Sequence, residues 1–401
     1  MDRRTFLKVT GQLTTVAFFW PGRGVAFSQP PSRTTPAPRG KPTRVSLAGV
    51  RRGASPEIVK SAVRAAAESA TDFSWLSRGD AVFIKPALNS GNPYPATTSP
   101  DAIGVIVEML KAKGARRVIL GDMSGIEHVK LSPGDLSGSS RRLMEASGMA
   151  RAAESAGAEL HFFEESGWDA FYEDVPAAGS HWKKGLMIPN ILKEVDHIVL
   201  MPRCSRHVLA GSTLGLKAAV GYWRTDTRLE YHRDASTFQE KTAEGNTVST
   251  LLKKQRLVLS AADKILTTFG PDKGLVVEPE IGLIMASQSV VAHDMVSLAW
   301  LLENRLAVSS SDKEGFKDPY ASQFMVSAAN HYVVSKLGGI GQAIGSERLT
   351  RNDIDTIWDD RVLNRAYKFF GGMPAVVLEP ANDVVPQALK TRLAEATTRP
   401  A

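Results

Sequence analysis

Residues 196–223 read DHIVLMPRCSRHVLAGSTLGLKAAVGYW. The apolar run 197–201 stops at Pro202, which cannot donate to a sheet ladder, so it predicts a buried strand that ends there. A short segment then gathers Arg203, Cys204, Arg206 and His207, and a small-residue turn, Gly211-Ser212-Thr213, opens a helical segment carrying Lys217. The pattern is strand, polar loop, helix, with cations and hydroxyls concentrated just past the strand's C-terminal end. Ligands bind at that edge in open parallel sheets. The stretch therefore predicts an α/β fold and one wall of a site.

Upstream, residues 81–84 form a second buried strand that leaves through Lys85-Pro86-Ala87-Leu88-Asn89. Thr98 or Ser99 caps a helix that starts at Pro100 and Asp101, buries Ile103, Ile106, Val107 and Leu110, and stops near Gly114. Residues 117–120 make a third strand, ending at Gly121-Asp122-Met123-Ser124. Strand, helix and strand in succession imply a right-handed parallel crossover. An alternating strand over 44–50 and a helix over 56–70 precede this unit. After it come a helix over 139–156, a strand over 159–163, an irregular segment over 168–184 and a short helix over 186–194. Beyond Trp223 the polar stretch to Asn246 reads as a long loop or lid. A helix over 248–262, a strand over 281–285 and a helix over 289–303 follow. Composition turns polar over 309–320, helices are expected over 320–337 and 353–369 with a strand at 375–378, and the chain fades from Pro386 into a polar tail. The expected fold class is α/β, a mainly parallel sheet flanked by helices, Rossmann-like and doubly wound. It spans 44–308, and 309–401 is expected to be a C-terminal helical extension packed on the same domain.

The 401 residues are 43% hydrophobic and 23% charged, an ordinary globular composition. The formal charge of +7 is concentrated at the start. Residues 1–28 carry Arg3, Arg4, Lys8 and Arg23 against Asp2, and residues 29–43 add Arg33, Arg39 and Lys41, which leaves the rest nearly neutral. That distribution gives no support for a nucleic-acid surface. Arg3-Arg4 ahead of a modest apolar segment, with Ala26-Phe27-Ser28 as a small-x-small cleavage site, is similar to a twin-arginine signal peptide. It predicts recognition by the twin-arginine translocase and a periplasmic location. The apolar stretch falls short of the roughly 20 residues that span a bilayer, so no permanent membrane span is expected, although a retained signal would act as an anchor. Residues 29–43, rich in Pro, Ser and Thr, read as a disordered linker. The single cysteine, Cys204, excludes an internal disulfide and a Cys-ligated iron–sulfur cluster.

Three strand ends carry comparable polar groups: Lys85 and Asn89, then Asp122 and Ser124, then Arg203, His207, Thr213 and Lys217. If the strands are parallel neighbours, all three sets emerge on one edge. Lysines and an arginine beside hydroxyls suit an anionic, phosphate- or carboxylate-bearing small molecule. Asp122, His207 and Asp294 suit proton transfer. Each of these residues alone is equally consistent with capping a turn or helix. The histidines show no HExxH spacing, and a metal held by His207 and Asp294 is a further alternative. The glycines of 338–345 lack the spacing of a dinucleotide fingerprint and follow a helix, so they read as a turn.

The blocks IKPALNS, TTSPDAIGVIVEMLKAKGARRVILGD, PNILKEVDHIVLMPRCSRHVLAGSTLGLKAAVGYW, GPDKG and MASQSVVAHDMVSLAW together resemble the family known as domain of unknown function 362, over 81–302. By position the resemblance points to Lys85, His207, Thr213, Lys217 and Asp294 as site residues. Ala87 and Ala218 stand where that family commonly has Asn, and the lysine before its histidine is matched only by Arg203 or Arg206. Many relatives carry a cysteine-rich iron–sulfur module, absent from this sequence. The resemblance implies a fold and a site and leaves the cofactor unknown. The expected function is an exported protein with an anionic-ligand site at the sheet's C-terminal edge, acting as an enzyme. The alternative is a non-catalytic ligand- or cofactor-binding accessory protein.

Overall fold

The computed structural model describes residues 39–313, 318 and 322–399. The signal peptide expected over 1–28 lies outside them, as does the linker up to residue 38. Eight strands make the main sheet: β1 Arg39–Arg51, β2 Ala81–Pro86, β3 Arg117–Asp122, β4 Glu159–Phe162, β5 His197–Met201, β6 Gln255–Ala262, β7 Ile281–Ser287 and β8 Met373–Pro380. Their order is β8-β1-β7-β6-β5-β2-β3-β4. Neighbours are parallel except for β7, which runs antiparallel to both β1 and β6. The fold is thus α/β with a mainly parallel sheet.

From β2 the chain builds outward through β3 to β4, then returns to lay β5 on the other side of β2 and β6 beyond it. The reversal between β2 and β5 is a topological switch point, where the carboxyl ends of the strands open a crevice. Thr98 ties the two exits together: its hydroxyl donates to Met201 O at 2.6 Å and accepts from Ala87 N at 2.8 Å.

β2 and β5 are buried along their whole length, which is why they read as unbroken apolar runs. Helices Pro56–Ala70 and Pro100–Ala112 pack on one face over Val82, Ile84, Val118 and Val199. Helix Val290–Leu306 packs on the other over Leu200, Val258 and Met285. Ser99 caps the second of these helices by accepting from Ala102 N, and Ser289 caps the third through Ala292 N. Among the described residues, no helix is long and apolar enough to cross a membrane.

Several expectations are corrected. The stretch 224–246, expected as a loop or lid, forms helices Thr225–Arg233 and Phe238–Glu244. Their polar side chains are buried because they satisfy one another: Lys241 Nζ lies 3.2 Å from Glu230 and 3.3 Å from Asp234. Stacked rings add to this, with Tyr231 and Phe238 4.0 Å apart and Trp182 edge-on to Trp223 at 4.9 Å. The helix expected over 248–262 stops at Lys254, because Leu257, Val258 and Leu259 are drawn into the sheet between β5 and β7. Residues 186–194 give a strand, Leu186–Pro189, before a single turn, Ile191–Glu194; the strand pairs with Phe171–Asp174 in the segment expected to be irregular. Gly211–Thr213, expected as a turn, is a strand paired with Ser205–His207. The helix over 139–156 breaks at Gly148, whose φ of 83° is left-handed. Past Pro386 the expected tail is helix Gln387–Thr397, which buries Leu389 and Leu393 four apart. The C-terminal segment is more than an extension packed on the domain, since β8 pairs in parallel with β1 inside the main sheet. That pairing starts at Arg39, so residues 39–43 of the expected linker are strand.

Candidate functional site at the switch point

Lys85 is the next-to-last residue of β2 and Asp122 the last of β3, so the parallel register brings both to one edge. Lys85 Nζ lies 2.8 Å from Asp122 Oδ2 and donates to Pro86 O at 2.7 Å. Asp122 also accepts from Leu88 N at 3.1 Å and Met123 N at 2.8 Å. Burial pushes the lysine's pKa down and the carboxyl's up, and their mutual contact opposes both shifts. Gly221 covers the pair. A methyl group there would collide with Asp122 Oδ1 and Lys85 Nζ.

The exit of β5 is held by Arg203, which is fully buried and donates to Ala96 O and Pro271 O. The hairpin that follows carries His207. Its Nδ1 accepts from Leu209 N at 3.1 Å and Ala210 N at 3.3 Å, so the neutral ring keeps its proton on Nε2. Burial and the nearby cations, Lys217 first among them, hold the His207 pKa well below the usual histidine value. Asp294, from helix Val290–Leu306, accepts from Gly215 N at 2.8 Å and Leu216 N at 2.7 Å. Those bonds fix the turn Gly215–Ala218 and so aim Lys217. Lys217 is half-buried and its ammonium has no hydrogen-bond acceptor among the described residues; it sits 5.9 Å from the Tyr231 ring centre. Burial, then the charges of Arg228, Arg203 and Lys85, lower its pKa to about 7.

Helix Thr225–Arg233 supplies two further residues, Arg228, which the sequence reading missed, and His232. Arg228 donates to Ser124 O at 2.6 Å, Met123 O at 2.8 Å and Gly221 O at 3.0 Å, clamping the exit of β3. His232 sits opposite Asn330. Because Asn330 Nδ2 donates to His232 O, its Oδ1 faces the ring and accepts from Nδ1–H at 2.9 Å, leaving Nε2 as an acceptor. Burial lowers the His232 pKa to about 3. The i, i+4 spacing of Arg228 and His232 was the available signal of a shared helical face.

These groups surround a cavity of about 190 Å³. Of the residues singled out from the sequence, Lys85, Asn89, Asp122, His207, Thr213 and Lys217 line it. Ser124, Arg203 and Asp294 stand behind the wall. Ser124 Oγ donates to Asn89 O at 3.0 Å, so it supports the loop that carries Asn89. Asp294 has both oxygens committed to backbone amides, which corrects its expected part in proton transfer to a positioning one. The alternative metal site on His207 and Asp294 fares no better: among the described residues no group of three or more His, Cys, Asp or Glu is placed to hold a metal ion. Cys204 is buried and donates to Ser297 O at 3.4 Å, a packing role. Thr213 keeps a buried hydroxyl without a partner among the described residues. The opposite wall is apolar, built from Phe269 and from Met325, Ala329, Val333 and Leu337 of helix Gln323–Gly338.

No curated protein matches the chain. Among the solved structures that do, lactate racemase apoprotein from Thermoanaerobacterium thermosaccharolyticum aligns at 12% identity and a TM-score of 0.41, over 89% of this chain and 87% of that one. A structural-genomics protein from Thermotoga maritima aligns at 12% identity and a TM-score of 0.38, over 63% of this chain and 59% of that one, so this chain spans less than two thirds of its length. Neither likeness says what this chain does. The family described as domain of unknown function 362 matches residues 82–299, more than half of the chain and all of β2 through β7 beyond Ala81. The chain belongs to the domain of unknown function 362 family.

Proposed function

We propose that this protein is an exported enzyme that binds a small anionic molecule in the switch-point cavity and moves a proton on it through Lys217. The observation that carries the reading is Lys217 itself, an amine that opens into the cavity without an acceptor. With a pKa of about 7 it both gives and takes a proton near neutrality, where an ordinary lysine stays charged. His207 offers Nε2–H as a fixed donor to an oxygen of the ligand, and Thr213 a second donor. Lys85 and Asp122 neutralise each other and shape the floor, while Arg228 contributes positive field from behind its three carbonyl bonds. Export rests on the Arg3-Arg4 segment alone, which lies outside the described residues.

Acetate, titrated by NMR into the wild type and Lys217→Met, tests the binding half. Saturable binding that weakens at least about tenfold in the variant is expected; no binding, or equal binding by both, overturns the reading. For the catalytic half, native mass spectrometry of protein from its own periplasm weighs the bound molecule, and incubation in deuterium oxide follows. An enzyme adds non-exchangeable deuterium and Lys217→Met does not, whereas an unlabelled ligand leaves a binder only. Replacing Arg3 and Arg4 together by lysine should hold the protein in the cytoplasm on cell fractionation. Undiminished periplasmic protein contradicts the export half.

A further inference from the structure

The cavity has two unlike ends, and the far one is not explained by anion binding. Its apolar side is a continuous stripe: Met325, Ala329, Val333 and Leu337 recur every four residues along one face of helix Gln323–Gly338. Phe269 lies on the same wall with φ at 57°, a left-handed conformation costly for a residue with a side chain, so the surrounding structure holds its ring there against local strain. An anion alone has no use for this surface.

The polar end limits what kind of anion enters. The lining donors without a partner among the described residues are Lys217 Nζ, His207 Nε2–H, the Thr213 hydroxyl, the Asn89 side-chain amide and the buried Arg228 Nε. Lys85 is paired with Asp122, and both terminal nitrogens of Arg228 are engaged by three backbone carbonyls. Lys217 is the lining ammonium that has no acceptor among the described residues, and with the neutral donors beside it matches the two oxygens and single charge of a carboxylate. The remaining wall adds repulsion for a dianion: Glu127 is exposed there, accepting from Tyr332 OH at 3.5 Å, and Asp272 stands 3.5 Å from His128. Volume sets the size of the apolar part. An apolar cavity of ~150 Å³ holds benzene, so one of about 190 Å³ accommodates a single ring with a carboxylate attached.

We infer that the ligand is a monocarboxylate carrying an apolar body about the size of one ring, seated with its carboxylate toward Lys217 and His207 and its body against Phe269 and helix Gln323–Gly338. The inference rests on the anion-binding reading above and deepens it. The helix that selects the body lies outside the residues matched by the family, so the apolar wall is a specificity element contributed by this chain's C-terminal segment.

Calorimetric titration near pH 6 with phenylacetate, acetate, phenyl phosphate and benzyl alcohol tests it. Phenylacetate should bind roughly 10- to 100-fold more tightly than acetate, the return on burying a ring, and more tightly than phenyl phosphate or benzyl alcohol. Ala329→Trp, which fills the apolar half, should weaken phenylacetate at least about tenfold and more than it weakens acetate, so that the preference for phenylacetate falls; Ala329→Leu should do the same to a smaller degree. Melting curves establish that both variants fold. Phenylacetate no tighter than acetate overturns the apolar-body inference and leaves anion binding standing. Tighter phenyl phosphate overturns the carboxylate assignment. If no acid binds at all, both this inference and the proposed function fall.

Discussion

Lys217 changes charge near neutrality where the two cavity histidines do not, since His207 is held well below its usual pKa and His232 at about 3. In the folded chain Lys217 titrates at about 7, below its unfolded value, so between those values the unfolded chain holds a proton the folded one has lost. This group therefore makes stability rise with pH across that window, and below it the full cost of a half-buried charge remains. Lys217→Met removes the cost: calorimetry should show a higher Tm for the variant near pH 6, with the gain shrinking as pH approaches about 10. Gly221→Ala works in the opposite direction. Its methyl would separate Lys85 from Asp122, and breaking a buried pair costs about 3–5 kcal/mol, measurable by urea unfolding. Lys85, Asp122, His207 and Lys217 were legible in the sequence because strand exits in a parallel sheet announce themselves by an apolar run ending in polar residues. The role of Asp294 was not, because a carboxylate that caps a distant turn and one that moves protons look alike in a sequence.

At the scale of elements, helices Thr225–Arg233 and Phe238–Glu244 are fixed beside the candidate site through buried polar contacts. Apolar periodicity, the main sequence signal of a packed helix, is weak where Lys241, Glu230, Asp234 and Glu244 face inward and pair. The same blindness explains Gln255–Ala262: its apolar run fits helix or strand equally, and only the gap between β5 and β7 decides. Lys241→Met leaves Glu230 and Asp234 short of a buried partner and should destabilise by about 3 kcal/mol in urea unfolding. Asp360 caps helix Arg361–Phe369 by accepting from Leu363 N at 2.8 Å, while burial pushes its carboxyl up to about 7. The folded chain thus keeps a proton that the unfolded one releases above its ordinary carboxylate pKa, so stability from this group is full below that value and is lost as pH rises through 7. Asp360→Asn keeps a capping side chain without the charge. Its Tm should match or exceed the wild type's at about pH 8 and lose that advantage near pH 4, whereas Asp360→Ala should be about 1 kcal/mol less stable for want of the cap.

For the molecule as a whole, the sequence disclosed a mainly parallel α/β sheet and a candidate site on one edge, but not that the C-terminal segment contributes to both. β8 covers the outer edge of β1, and helix Gln323–Gly338 supplies one wall of the cavity. Long-range pairings of this kind leave no local trace, since β1 and β8 are separated by most of the chain. A chain ended at residue 313 should therefore expose the β1 edge, aggregate on expression and fail to bind phenylacetate; a soluble, binding-competent truncation would refute the assigned role of that segment. The most direct measurement of the central claim, that a carboxylate is held by the Lys217 ammonium, is calorimetric titration of phenylacetate into wild type and Lys217→Met at about pH 6 and about pH 9. Around Lys217 stand Lys85 paired with Asp122, Arg228 and Arg203 with pKa values lowered only to about 10, the two neutral histidines, and the buried Tyr222 and Tyr231, both pushed above their usual range. Loss of the Lys217 charge should weaken wild-type binding by roughly 100-fold between the two conditions, and the variant should bind weakly at both. Equal wild-type affinity at the two pH values, or unchanged affinity in Lys217→Met, would contradict it.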